Sequence, residues 1–272
     1  MRTWFESLKK LNAEKIRPLR KIAPTLLRHP AVFLGRKDYI FVVSHIRSYS
    51  SLLCHILGSH EEISGYGEMN QAYSGWTDLL QLRYNVYKAC DNHLEGRFVL
   101  DKILHSYYPV AEKILQQTNV RIIYLLRKDP EKTLKSIIRM ERNLRHPWAD
   151  NMNAVLHFYL NGLQAIRRCL TKSNGNTLFF DSEKLIEEPD FVLSGLADWL
   201  GLKTRLNPKY SLFKLTGKPG FGDPSDFIKK GELIRTANDY SDIHIPAPVV
   251  KQAREAYQAC RGALLLHSDT IL

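Results

Sequence analysis

The chain has no apolar run of 18 residues, so no transmembrane helix is expected. Its N-terminus lacks the charged, then apolar, then small-residue layout of a secretory signal. Only four cysteines occur in 272 residues. Cys54, Cys90, Cys169 and Cys260 are far apart and form no Cys-x-x-Cys pair. That scatter argues against a disulfide framework and against a cysteine-based metal site, and no metal is expected. A reducing, cytoplasmic setting fits the same count. Internal repeats and low-complexity tracts are missing. So are helix-turn-helix, zinc-finger and RNA-binding aromatic signatures, and no nucleic-acid partner is expected. The phosphate loop of the form Gly-x-x-x-x-Gly-Lys-Ser/Thr is absent as well.

Positive charge is abundant. Lysine and arginine number 39 against 28 acidic residues, a formal net charge of +11. Such an excess calls for an anionic partner: a nucleic acid, an acidic membrane or a polyanionic nucleotide. Part of it lies in residues 1–37, a basic arm in which Trp4, Phe5, Leu8 and Leu11 alternate with Lys9, Lys10, Lys15, Arg17, Arg20 and Lys21. This composition suits an interfacial helix, hence peripheral contact with an anionic membrane. The hydrophobic share of 44% supplies a sizeable core, and residues 38–272 read as a single α/β domain.

Four short apolar runs, at 39–43, 97–100, 121–126 and 177–180, read as strands buried on both faces. Helical spacing separates them, at 51–57, 78–89, 110–117, 130–142, 153–170, 191–200 and 249–263. The alternation predicts a three-layer α/β fold, a central mostly parallel sheet flanked by helices. Ligands in such sheets bind at the carboxyl ends of the strands.

One of those ends is chemically distinctive. The first strand runs into Ser44-His45-Ile46-Arg47-Ser48-Tyr49-Ser50-Ser51, and a helix follows at once. The first N–H groups of a helix have no internal partner and favour an anion. Arg47 adds a cation and the serines add donors. A second such place follows the third strand. There Arg127 and Lys128 precede Pro130, a residue favoured at the first helical position, and Ser136 lies two turns on. A cation at a strand end and a hydroxyl on the next helix can bracket one anion.

These two segments resemble the phosphate-binding segments of sulfotransferases that use 3′-phosphoadenosine 5′-phosphosulfate (PAPS). Arg47, Ser48, Tyr49, Ser50 and Ser51 stand where that family has a basic residue, Ser, usually Gly, and two hydroxyl residues. Tyr49 departs from the pattern, because Gly tolerates close phosphate approach and Tyr does not. Arg127 and Ser136 match the 3′-phosphate segment, with Lys128 as the alternative cation. Weaker likenesses are the strand, acidic turn and helix of residues 178–202, the Lys218-Pro219-Gly220-Phe221-Gly222-Asp223-Pro224 loop, and Lys102 after the second strand. The resemblance spans roughly residues 38–235.

It implies a P-loop-like fold, PAPS as co-substrate, adenosine 3′,5′-bisphosphate (PAP) as product, and no metal. It further implies an acceptor with a hydroxyl group on a carbohydrate, lipid or small metabolite. Arg47 and residues 48–51 would hold the 5′-phosphate, Arg127 and Ser136 the 3′-phosphate. Lys102 would reach the bridging oxygen, and Lys218 would contact a phosphate from the late loop. Two bases fit the resemblance. Glu68, in Gly65-Tyr66-Gly67-Glu68, matches the Glu of carbohydrate-type members, and His105 matches the His of small-molecule members, one residue out of register. Tyr66, Tyr73, Trp76, Tyr107, Tyr108 and Trp148 could line the acceptor site. The alternatives are a P-loop-like nucleotide kinase or hydrolase, with Val99-Leu100-Asp101 as the nearest run to a magnesium-binding strand, and a basic protein that binds membrane or nucleic acid through its arm.

Overall fold

A computed structural model describes residues 22–104, 108–173, 175–218, 221–223, 225–234 and 239–272. Much of the basic arm (residues 1–21), His105 and Tyr107 therefore lie outside the described residues. The apolar runs form strands β1 (Asp38–Ser44), β3 (Phe98–Ile103), β4 (Val120–Leu126) and β5 (Thr177–Asp181). Two-residue strands, β2 (Ile63–Ser64) and β6 (Thr270–Ile271), complete the sheet. The order is β2-β3-β1-β4-β5-β6, and every pairing is parallel. The chain builds outward from β1 to β3 and β2 on one side and to β4, β5 and β6 on the other. A crevice therefore opens beyond the carboxyl ends of β1 and β4, where the winding reverses.

Side chains along β1 alternate between two cores. Tyr39, Phe41 and Val43 enter one, with Leu82, Tyr124, Leu134, Tyr159 and Leu264. Ile40 and Val42 enter the other, with Leu53, Ile123, Phe180 and Leu196. Burial on both faces is why the strands read as unbroken apolar runs.

After a helical stretch at 22–28 come α1 (Pro30–Leu34), α2 (Ser50–Gly58), α3 (Trp76–Ala89), α4 (Glu112–Leu115), α5 (Pro130–Asn143), α6 (Met152–Leu170), α7 (Lys184–Glu187), α8 (Pro189–Leu200) and α9 (Ala247–His267). Asp129 caps α5 by accepting from the Lys132 N–H at 3.0 Å, and Pro130 follows at the first turn. Asn151 caps α6 from the Ala154 N–H at 3.1 Å. The helix expected over 110–117 shrinks to one turn, because Val110 instead bridges to Tyr73. Residues 33–37 are tied to the body. Arg83 donates to the carbonyls of Phe33 and Gly35, and the buried Lys37 ammonium donates to those of Leu94 and Gly96.

Candidate active site

The turn from β1 into α2 holds two residues in left-handed backbone conformations, Arg47 (φ 64°) and Tyr49 (φ 57°, ψ 12°). An L-residue there costs about 1–2 kcal/mol relative to the right-handed region. Tyr49 thus adopts a backbone conformation that glycine reaches freely. Its surroundings enforce it. Ser48 Oγ donates to the His45 carbonyl at 2.7 Å, and Arg127 lies over the Tyr49 ring, 5.5 Å from its centroid. Arg127 Nη1 also donates to the Arg47 carbonyl at 3.3 Å.

His45 locks the loop to the neighbouring strand. Its Nδ1–H donates to the Ile46 carbonyl at 2.6 Å, and its Nε2 accepts from the Arg127 N–H at 3.2 Å. Only a neutral ring serves both partners, and burial pushes its pKa down to about 4. No side chain caps α2, so its first N–H groups remain available to an anion beside Ser48, Tyr49, Ser50 and Ser51.

Three cations converge on this turn. Arg47 Nε donates to Ser136 Oγ at 2.9 Å, and its Nη1 lies 3.5 Å from the Asp223 carboxylate. The Lys102 side chain is 1% exposed; its Nζ lies 2.8 Å from Glu68 Oε1 and 2.8 Å from Ser51 Oγ. Arg127 Nε lies 3.8 Å from Glu183. Lys128 turns outward instead, to Glu187 at 3.6 Å.

The late loop closes from above. The Asp223 N–H donates to Ser51 Oγ at 3.0 Å. Gly222 (φ 115°) holds a backbone conformation that strains any side chain, and a Cβ there would sit tightly, 3.1 Å from Ser51 Oγ, beside Lys102 Nζ at 3.4 Å. The neutral ring of His55 anchors the approach to that loop. Its Nδ1–H donates to the Ser51 carbonyl and its Nε2 accepts from the Thr216 hydroxyl.

One cavity of about 440 Å³ collects these groups. Arg47, Ser48, Tyr49, Ser50, Ser51, Glu68, Lys102, Arg127 and Ser136 all line it. Lys218 does not; it is exposed, and its loop reaches the cavity through Gly222 and Asp223. Of the described candidate aromatics, Trp148 alone lines the space. Tyr66 stacks on Phe213 at 4.1 Å, Tyr73 is fully buried and Trp76 is 64% exposed. Sequence reasoning missed His45, Asp223 and Glu183. It also missed a Glu141–His146 pair on the cavity wall. Each of the first three stood in a segment already singled out, His45 in the loop after the first strand, Asp223 in the late loop and Glu183 in the acidic turn, with nothing local to say what it would contact.

No protein-family model and no curated protein matches the chain. Solved structures do. The sulfotransferase domain from the curacin biosynthetic pathway superposes with a TM-score of 0.58 at 19% identity, over 84% of this chain and 98% of that one. Sulfotransferase STF1 from Mycobacterium tuberculosis H37Rv gives 0.52 at 12% identity, over 86% and 80%. The fold is that of the sulfotransferases. In this sulfotransferase fold the cavity opens at the switch point between β1 and β4, between the cations that leave those two strands. Among the described residues no helix is long and apolar enough to cross a membrane.

Proposed function

We propose that the chain transfers a sulfuryl group from PAPS to a hydroxyl of a carbohydrate, lipid or small metabolite. The observation that carries this reading is a direct link between the two phosphate-type segments. Arg47, from the loop after β1, donates to Ser136, on the helix after β4, inside one cavity. A single ligand with an anion at each end fits such a pair of segments better than two unrelated anions do.

Arg47 and the N–H groups of residues 48–51 would hold the 5′-phosphate and take up the charge that develops as it leaves. Arg127 and Ser136 would hold the 3′-phosphate, since Arg127, unlike Lys128, faces the cavity. Lys102 stands within reach of both Ser51 and Glu68 and would neutralise the sulfuryl or bridging oxygen. The acceptor hydroxyl attacks sulfur in line, its proton passes to Glu68, and the bond from sulfur to the phosphate oxygen breaks to release PAP. The reaction needs alignment and charge neutralisation more than covalent help. The 2.8 Å contact between Glu68 and Lys102 places the candidate base and the cation at one reacting centre. Peripheral membrane contact by the basic arm is compatible with a membrane-presented acceptor.

A magnesium-dependent kinase or hydrolase finds less support. Asp101, its nearest metal-ligand candidate, directs its oxygens to two amides and a tyrosine rather than into the cavity. A thermal-shift comparison tests the proposal. Adenosine 3′,5′-bisphosphate is expected to raise the melting temperature, and ATP and AMP to raise it far less. Equal responses to all three would overturn it.

A further inference from the structure

Asp101 lies on β3 with 0% exposure, next to Lys102 in sequence but on the opposite face of the sheet, as strand alternation requires. Its carboxylate faces the apolar core that holds Tyr73, Phe41 and Val99. No Lys or Arg is paired with it among the ion pairs of the described residues. Burial therefore pushes its pKa up to about 7, with the charge of Glu68 adding to the effect. A carboxyl kept in such a place is costly, and three contacts account for it.

Oδ1 accepts from two backbone amides, those of Met69 and Lys102, each at 2.8 Å. Oδ2 accepts from the Tyr73 hydroxyl at 2.5 Å. The Lys102 N–H also reaches the Gly67 carbonyl at 3.3 Å. Glu68 is thus bracketed by tethers on both of its neighbours, and both tethers lead to the Asp101–Lys102 step of β3. Tyr73 is itself fixed. Its ring lies 4.8 Å from that of Phe41 on β1, and its backbone bonds Pro109 and Ala111.

We propose that Asp101 is a positioning residue, which clamps the backbone of the 67–69 segment to β3 and so sets the Glu68–Lys102 pair in register across the cleft. Two side chains from separate segments meet there, and the sheet ladder alone does not join them. β2 ends at Ser64, and among the described residues the Gly67 and Met69 backbone contacts carry the chain alongside β3 as far as Lys102. The clamp acts through its acceptor oxygens. The inference rests on the sulfuryl-transfer reading for its catalytic meaning but not for its geometry.

The test compares Asp101→Asn with Asp101→Ala in the full chain. Asn keeps an oxygen for both amides and can offer its N–H to the Tyr73 oxygen; Ala removes the acceptor of the Met69 amide and leaves the Lys102 amide only the Gly67 carbonyl at 3.3 Å. Hydrogen exchange at the Met69 and Lys102 amides reads the clamp without any turnover. Exchange is expected to speed up at least tenfold at the Met69 amide in Asp101→Ala, and less at the Lys102 amide, which keeps the Gly67 carbonyl, and to stay near the wild-type rate at both in Asp101→Asn. With PAPS and an acceptor, kcat should fall at least tenfold in Asp101→Ala and recover in Asp101→Asn. The bisphosphate-induced melting shift should be retained in both. If Asp101→Ala is too unstable, Tyr73→Phe removes one donor and should give the same signs at smaller size.

Unchanged exchange in the weakened variants would overturn the clamp. So would an Asn variant as impaired as Ala, because the charge rather than the acceptor geometry would then be the working part. A wild-type protein that ignores the bisphosphate would instead overturn the sulfuryl-transfer reading, and the exchange result would still decide the clamp.

Discussion

The two walls of the cleft are built on different principles. On the basic wall each cation is already engaged: Arg47 with Ser136 and Asp223, Lys102 with Glu68 and Ser51, Arg127 with Glu183 and the loop backbone. Another part of the lining, the apolar wall, has Ile46, Leu104, Met140, Leu144, Trp148 and Phe158, relieved by Glu141 and His146. A wall of fixed charges suits one invariant ligand, because preorganised donors need little rearrangement when an anion arrives. An apolar wall assembled from five segments discriminates by shape, at about 1–3 kcal/mol per mismatched group.

The contrast can be broken by mutation. The largest effect is expected from Glu68→Gln, which keeps the size and removes the basicity. Turnover should drop by about 10²–10⁴-fold, the usual worth of a positioned base, with bisphosphate binding intact. Activity that survives Glu68→Gln would move the base elsewhere, His105 being the remaining candidate.

Acid should weaken the loops that support the basic wall. Burial holds His45 and His55 neutral with pKa values lowered to about 4. A depressed pKa contributes stability that is fully present above the unfolded value and is lost as pH falls toward the folded one. Each histidine is thus worth on the order of 3 kcal/mol at neutral pH, lost between about pH 6.5 and pH 4. Asp101 works in the opposite sense. Its folded pKa is raised to about 7, so its contribution is full below its unfolded value and fades as pH rises through 7. Denaturation midpoints should fall from pH 7 to pH 4.5, and His55→Gln should flatten that slope.

The apolar wall answers to a smaller change. Trp148→Ala, which removes a ring 5.4 Å from that of Phe158, should raise acceptor KM about tenfold, in line with loss of one buried aromatic contact. Bisphosphate affinity should not move. A change in nucleotide affinity alone would mean that the two walls had been assigned the wrong ligands.

The smallest effect belongs to Tyr49→Gly. Relief of about 1–2 kcal/mol of left-handed strain is offset by about 0.5–1 kcal/mol of added chain freedom and about 0.5–1 kcal/mol of lost stacking under Arg127. The denaturation midpoint should barely shift, and a large shift in either direction would show that one of these terms dominates.

The same contrast explains how much could be read from residues alone. β1, β3, β4 and β5 were legible because they are buried on both faces and leave an unbroken apolar signature. β2 and β6 have two residues each, too few for any period. The basic wall was legible because Arg47 and Arg127 each follow a strand and precede a helix, a local pattern. The pairing of Glu68 with Lys102 joins residues 34 positions apart, and Asp223 reaches Ser51 across 172, so neither left a local trace. Lys218 was the obvious charge in its loop, yet Gly222 and Asp223 make the approach. The apolar wall draws one or two residues from each of several segments, and a lone Trp148 looks the same in a core as in a cleft.

Because Arg47 and Arg127 leave hydrogen-bonded neighbours, with Ser44 of β1 beside Leu125 of β4, the gap between them inherits the pitch of the sheet, about 4.8 Å per strand. For the proposed nucleotide, that yardstick would be written in backbone amides rather than in side chains. Surface loops can lengthen, and the apolar wall can be rebuilt, without recalibrating it.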